Sequence, residues 1–197
     1  MSRPAAVVTV IALLSVIGGC SSGTQHVATT PPAAAAPTIT DAVMSSGMAM
    51  SLSTAGPSKP AAMICSEEVR GDLRTILGAK QLPAGAPSWR YPVYTCSYRL
   101  GMGTLTLAVH ESADETTAAA TVRRLRRDLG GGPSVLGLGP DGYTPADGVV
   151  LLRKDNDVLV VDARGLPTVF GSNDQHRADF AFEVATTILG CWTGDDD

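Results

Sequence analysis

Aromatic residues, histidine and cysteine are all scarce in this chain. Only 5% of its 197 residues are aromatic, and it has three histidines and four cysteines. Four cysteines are too few for a small fold held together mainly by disulfides. No apolar run reaches the roughly 20 residues that a membrane-spanning helix requires. The net charge of −4 is unlike the basic balance of nucleic-acid-binding domains, so we expect no nucleic-acid partner.

The motifs that carry most enzyme and metal chemistry are also missing. The sequence contains no C-x-x-C, H-x-x-x-H, G-x-S-x-G or P-loop pattern. Asp155 and Asp157 are spaced like the start of a calcium loop, but the required glycine and glutamate do not follow, so we interpret them as part of a hairpin turn. The histidines are scattered, at His26, His110 and His176. We therefore expect no enzyme activity, no cofactor and no metal site.

The first twenty residues have the pattern of an export signal. Arg3 precedes thirteen uncharged residues, Ala5 to Ile17, which is the length of a signal-peptide core. Ile17-Gly18-Gly19-Cys20 then follows, and this segment resembles the lipobox of bacterial lipoproteins. The resemblance implies that residues 1–19 are a signal peptide and that Cys20 is acylated. It also implies that the chain is anchored by lipid at the extracytoplasmic face of the bacterial membrane.

Residues 20–62 differ in composition from the rest of the chain. After Cys20 they are rich in Ala, Ser, Thr, Pro and Gly and have no aromatic side chain, so they cannot bury a core. We interpret them as a disordered tether, about 35 Å in mean span. Its three methionines, Met44, Met48 and Met50, could hold Cu(I) through their thioethers. The alternative interpretation is a short apolar patch without a ligand.

Residues 63–193 have the periodicity of a folded domain, followed by an acidic tail at 194–197. Helices are predicted at 66–77, capped by Ser66; at 112–129, with Ser112 and Glu115 at capping-box spacing; and from Asn173 or Asp174 to Leu189. Gly190 is the expected end of the last helix. Alternating apolar residues predict strands at 93–100, 104–110, 149–153 and 158–162, with a weaker one at 135–138.

These elements predict an α+β fold. Strands joined by tight turns favour an antiparallel sheet, here of about four or five strands, with helices packed on one side of it. The predicted order is α-β-β-α-(β)-β-β-α.

Three cysteines remain in the domain, and an exported chain is expected to form a disulfide. Cys65 precedes the first helix and Cys96 lies in a strand, so a bond between them would pin that helix to the sheet. The chain-entropy estimate for a loop of this size is about 3.5 kcal/mol. We favour Cys65–Cys96, with Cys191 as a remaining thiol or as an alternative partner of Cys65.

Several segments resemble small actinobacterial, mycobacterial-type cell-envelope lipoproteins of unknown function. They are Ile64-Cys65-Ser66, Tyr94-Thr95-Cys96-Ser97-Tyr98, Arg153-Lys154-Asp155-Asn156 and Gly190-Cys191-Trp192-Thr193-Gly194. The resemblance covers about residues 63–194. It implies an α+β domain with a disulfide between helix and strand, and no known activity.

Two features could bind a partner. Arg123, Arg124, Arg126 and Arg127 lie opposite the apolar stripe of their helix, where they either form a solvated face or contact an anionic surface. Trp89, Tyr91 and Tyr94 form either a contact patch or core packing. We predict a membrane-anchored, non-catalytic binding module for an envelope protein, wall or lipid component. The alternative is a carrier of a small lipid ligand or of copper.

Overall fold

The computed structural model describes residues 56–171 and 173–194. The predicted signal peptide, the lipidation site at Cys20, His26, the three methionines and most of the tether lie outside the described residues. The last three residues of the predicted acidic tail also lie outside them.

The described chain forms a six-stranded antiparallel sheet with helices on both of its sides. The helices are α1 (Lys59–Met63), α2 (Glu67–Ile76), α3 (Glu115–Asp128) and α4 (Arg177–Gly194). The strands of the sheet are β1 (Ala86–Arg90), β2 (Val93–Leu100), β3 (Gly103–Glu111), β4 (Tyr143–Ala146), β5 (Val149–Lys154) and β6 (Asp157–Gly165), and a separate two-stranded ribbon is formed by β7 (Val169–Phe170) and β8 (Gln175–His176). The order across the sheet is β1-β2-β3-β6-β5-β4.

The α+β class is confirmed, and the sheet is larger than predicted. The two edge strands β1 and β4 and the β7–β8 ribbon were not predicted from the sequence. β1 contains Pro87, which has no backbone N–H and therefore fits only a sheet edge. The weak strand predicted at 135–138 is a loop, and only Ser134 forms an isolated bridge, to Tyr143.

The helix starts follow local capping, although three predicted boundaries were wrong. Ser66 caps α2 as predicted, by accepting a hydrogen bond from Val69 N at 3.2 Å. Asp114, rather than Ser112, caps α3 through Thr117 N at 2.7 Å, because Ser112 is buried and donates its N–H to Asn156 O. α4 begins at Arg177 and continues through Gly190, so Asn173 and Asp174 are not its cap.

The helices lie on both sides of the sheet, which corrects the prediction of one covered side. On the first side, here called the α4 side, Leu152 and Leu159 join the large core under α2 and α4. On the opposite side, the α3 side, Leu151 and Val160 form a smaller core with Val122 of α3. Neighbouring residues of a strand point to opposite faces, so the central strands β5 and β6 are apolar on both.

The Cys65–Cys96 disulfide is confirmed, and it joins the segment before α2 to the sheet. Cys191 is buried and is not part of it. Beside the disulfide, the buried hydroxyl of Tyr98 donates a hydrogen bond to Ile64 O at 2.9 Å. Burial raises the pKa of Tyr98 to about 12, so the hydroxyl keeps the proton that it donates.

The two ends of the described chain meet on the α4 side. Trp192 of α4 donates its indole N–H to Pro60 O at 3.2 Å, and Ala61 of α1 is fully buried. Residues 59–62, which were predicted from composition to belong to the tether, therefore pack with the domain. No helix among the described residues is long and apolar enough to cross a bilayer.

Gly85 lies against the disulfide, and we predict that Gly85→Ala destabilises the domain. A Cβ at this position would overlap Sγ of Cys96 and lie 2.9 Å from Sγ of Cys65. Overpacking of this kind costs about 1–3 kcal/mol, measurable by chemical denaturation. The matched control is Gly71→Ala in α2, where a Cβ meets nothing within 4 Å. Because alanine favours the helix, this change should raise the free energy of unfolding by about 1 kcal/mol. Equal effects of the two substitutions would contradict this packing.

Candidate functional site

Three of the four predicted arginines lie on the exposed face of α3. Arg123, Arg124 and Arg127 are exposed, whereas Arg126 is half-buried. Arg123 and Arg127 form no ion pair or hydrogen bond with another described residue. Arg124 reaches Asp128 one turn later, at 3.4 Å, a long and exposed contact. The cluster predicted as one face is therefore three solvent-facing cations and one structural side chain.

Arg126 holds the chain that leaves α3. Its Nε donates to Gly131 O at 3.2 Å and to Gly132 O at 3.1 Å. Its guanidinium lies 4.1 Å from the ring centroid of Tyr143, in cation–π contact. At Gly132, φ is +76° and a Cβ would collide with Thr144 O, so glycine is needed for this close approach. The triple glycine after the helix was the available sequence signal, but it does not show which arginine turns toward it.

The α3 side of the sheet is only partly covered. α3 packs mainly on β5 and β6 and reaches β3 and β4. Beside it, the α3 side of β1, β2 and the first half of β3 remains exposed or half-exposed. We call this surface the open floor. It is formed by Ala86, Ser88, Arg90, Val93, Thr95, Ser97, Arg99, Thr104 and Thr106.

The open floor carries hydroxyl groups between two arginines. Ser97 lies directly opposite Thr106, and Arg99 lies opposite Thr104. The hydroxyl groups of Thr95, Ser97, Thr104 and Thr106 make no hydrogen bond within the described residues. Arg90 and Arg99 are exposed and likewise have no partner there. These groups are available to a ligand.

Two further titratable groups border the floor. Burial, and secondly the charge of Arg124, lower the pKa of His110, which keeps its ring neutral at pH 7. Burial alone would raise the pKa of Asp162, but hydrogen bonds from Arg164 outweigh it and lower the pKa. Arg164 Nη2 lies 2.6 Å from Asp162 Oδ2. This carboxylate is therefore neutralised by its neighbour, and the excess charge of the floor stays positive.

Two carboxyl groups lie close together on the α4 side, at the end of the sheet near Ser58. Glu111 lies opposite Asp157 on neighbouring strands, and its Oε1 accepts a hydrogen bond from Ser58 N at 2.6 Å. Burial, and then the charges of Glu111 and Asp155, raise the pKa of Asp157 to about 6. The net negative charge of the chain thus coexists with a basic α3 side.

The predicted aromatic cluster is assembled, and most of it is packing. The Trp89 ring lies 6.0 Å from that of Tyr91 and 6.5 Å from that of Tyr94, centroid to centroid. Tyr94 is buried and Trp89 packs against the α4-side core. Tyr91 is 44% exposed, so it is the member of this cluster that offers the most contact area.

The remaining candidate groups lie apart from one another. His176 is exposed in β8, and Asp155 and Asp157 flank the β5–β6 turn as predicted. The described residues include no group of three or more His, Cys, Asp or Glu placed to hold a metal ion. One cleft of about 270 Å³ is lined by Glu67, Arg70, Gly71, Arg74, Gln81 and Leu82, and another of about 210 Å³ lies between the end of α2 and the β7–β8 ribbon.

Comparison of the chain with protein families, curated proteins and solved structures finds no match. The candidate surface is therefore argued from its own geometry.

We predict that Arg126→Ala lowers the free energy of unfolding and that Arg123→Ala does not. The first change removes hydrogen bonds to two carbonyl groups and the contact with Tyr143. Loss of charged hydrogen bonds of this kind costs about 1.5–3 kcal/mol. The second removes an exposed side chain, with an expected change of about 0.5 kcal/mol or less. Urea denaturation of both variants checks the assignment, and a destabilised Arg123→Ala would contradict it.

Proposed function

We propose that this chain is an extracytoplasmic bacterial lipoprotein, anchored through acyl chains on Cys20, whose domain binds an anionic component of the cell envelope without catalysis. The proposal includes its kinship with the small actinobacterial cell-envelope lipoproteins that it resembles. The observation that carries the binding function is the set of arginines on the α3 side that have no ion-pair or hydrogen-bond partner among the described residues.

The disulfide supports export. Disulfides persist in oxidising compartments and are rare in the reducing cytosol. Cys65 and Cys96 form one in this domain. An export signal and a structural disulfide are therefore mutually consistent. The disulfide also commits two of the three domain cysteines to structure, where they cannot act as nucleophiles.

Unpaired arginines favour binding to anions. A guanidinium offers up to five N–H donors in a planar fork that matches carboxylate and phosphate. Arg164, by contrast, is paired with the neighbouring carboxylate of Asp162. Arg90, Arg99, Arg123 and Arg127 lie on one side of the sheet without such partners in residues 56–171 and 173–194. This grouping supports a binding surface rather than general solvation.

The packing of the core favours the binding module over the carrier. A lipid carrier would accommodate its ligand between the sheet and the helices, where apolar surface is available. In this domain that space holds Tyr98, Leu152 and Phe180, each less than 2% exposed. The alternative of a copper carrier rests on methionines outside the described residues.

The anchor has its own test. Cys20→Ala removes the thiol that accepts the lipid, so incorporation of a labelled fatty acid should be lost. The chain should then move from the detergent phase to the aqueous phase on partitioning. Ser21→Ala is the matched control and should keep the label. An unlabelled wild-type chain in the aqueous phase would contradict the anchor.

The binding function is tested by reversing the exposed charges of α3. The variant Arg123→Glu, Arg124→Glu, Arg127→Glu should bind sedimented envelope fragments at least about tenfold more weakly, because charge repulsion replaces attraction. Binding of the wild type should weaken as salt is raised. The measurement is the bound fraction of full-length chain in detergent, over a range of fragment concentrations.

A second triple variant controls for net charge. Lys59→Glu, Arg74→Glu, Lys80→Glu makes the same change in charge at exposed positions outside the α3 side. It should bind within about twofold of the wild type. Equal losses in the two triple variants, or no loss in either, would show that α3 does not form the contact surface.

A further inference from the structure

We infer that the occupant of the α3 side is an extended anionic polysaccharide, lying along the step between α3 and the open floor. This inference rests on the proposed binding function and adds the class of partner. It follows from the shape of the surface, its hydroxyl groups and the placement of its arginines.

The first argument is shape. A helix is about 10 Å across, so α3 rises by roughly that height above the neighbouring strands. The floor beside it is one side of β1, β2 and part of β3. A flat bilayer that touched Arg123 and Arg127 on top of the helix could not also reach the floor. A linear polymer can lie in the angle between the two.

The second argument is the chemistry of the floor. The floor residues Thr95 and Ser97 on β2 alternate with residues that face the core, so their hydroxyls are about 7 Å apart. Thr106 faces Ser97 across the strands. Each hydroxyl can both donate and accept a hydrogen bond, and none is used within the described residues. Such a set matches a polymer that is itself dense in hydroxyl groups.

The third argument is the position of the charges. Arg90 lies beside the start of β2, opposite Val93, and Arg99 lies near the end of that strand. Arg99 is six residues after Val93 along the strand, a distance of about 20 Å. Arg124 stands on the flank of α3, close enough to His110 to lower its pKa. His110 lies opposite Val93, so Arg90 and Arg124 are at one end of the floor and Arg99 is at the other. Cations at both ends fit a chain with repeated negative charges.

The sheet also disfavours an acidic peptide in this position. β2 is paired on both edges, with β1 and β3, and β3 is paired with β2 and β6. Their backbone groups are therefore already satisfied, and a peptide lying over β2 and β3 could not add a strand there. Recognition there depends on side chains alone, and hydroxyl groups are the commonest polar side-chain group on the floor.

The test uses full-length chain in neutral detergent with polygalacturonate, a polysaccharide with a carboxylate on every sugar. We expect binding to polygalacturonate and none to uncharged dextran. Arg99→Glu with Arg124→Glu should weaken it at least about tenfold. Thr95→Val, Ser97→Ala, Thr106→Val should weaken it about three- to tenfold, because each change removes a hydroxyl and retains similar volume. The melting temperature of each variant shows whether it is folded.

Two competitors separate this partner from the others. Polyglutamate has the charges without sugar hydroxyls, and mixed micelles with phosphatidylglycerol present an anionic lipid surface. Both should compete poorly at equal charge. The control Ser134→Ala, Thr168→Val, Thr193→Val removes exposed hydroxyls elsewhere and should leave binding unchanged.

The outcomes distinguish the two proposals. Equal binding of polyglutamate or anionic micelles, or an unaffected Thr95, Ser97 and Thr106 variant, would overturn the polysaccharide. The proposed function would survive that result if reversal of the α3 charges still abolished binding to envelope fragments. Failure of every polyanion and of the envelope fragments to bind would overturn both.

Discussion

The structure depends on the apolar character of β5 and β6 on both of their faces. Val149, Val150, Leu151 and Leu152 are consecutive and all buried. Because alternate side chains of a strand point to opposite faces, such a run needs cover on each side of the sheet. α4 and α2 cover one side and α3 the other. α3 is a single helix of 14 residues, about 21 Å long. One helix of this size can cover only some of the six strands. The open floor is the consequence, since β1 and β2 extend beyond that width.

The cover on the α4 side is held at its N-terminal end by covalent and polar links. α1 and α2 are short, with 5 and 10 residues, and isolated helices of such length are unstable in water. The disulfide fixes Cys65 to β2. Tyr98 of the same strand donates a hydrogen bond to the carbonyl of Ile64, the residue before Cys65. Trp192 then ties α4 to α1. This arrangement makes an oxidising compartment part of the folding of the domain, which agrees with the proposed export.

The parts of the fold that the sequence predicted are those fixed by local patterns. The 149–153 and 158–162 strands follow from apolar runs separated by a polar turn, and the start of α2 follows from Ser66. β1 was missed because Pro87 and the neighbouring glycine are typical of loops, and only the tertiary pairing with β2 makes it a strand. The side on which α3 packs was missed for a similar reason. Alternation within a strand shows that two faces exist but does not say which helix covers each.

Only part of the candidate surface was predicted, because the order of charged residues along the sequence does not show which of them lie close together in the folded domain. The run of arginines indicated the exposed face of α3, although Arg126 turned out to be structural. Arg90 and Arg99 gave no signal, since they are isolated in the chain and reach the α3 side only through the register of β1 and β2. The net charge argued against a nucleic-acid partner, and it does not show that the closely spaced carboxyls of Glu111 and Asp157 lie on the α4 side.

This separation of charge has a physical consequence for binding. At an ionic strength of 0.15 M, exposed charges act over about 8 Å, which is less than the distance through the domain. A ligand on the α3 side therefore responds to the local arginines and little to the acidic groups across the sheet. The raised pKa of Asp157, about 6, weakens the acidic side further as the pH falls toward that value. An acidic chain can thus present a surface that attracts anions where its exposed arginines outnumber the nearby carboxylates.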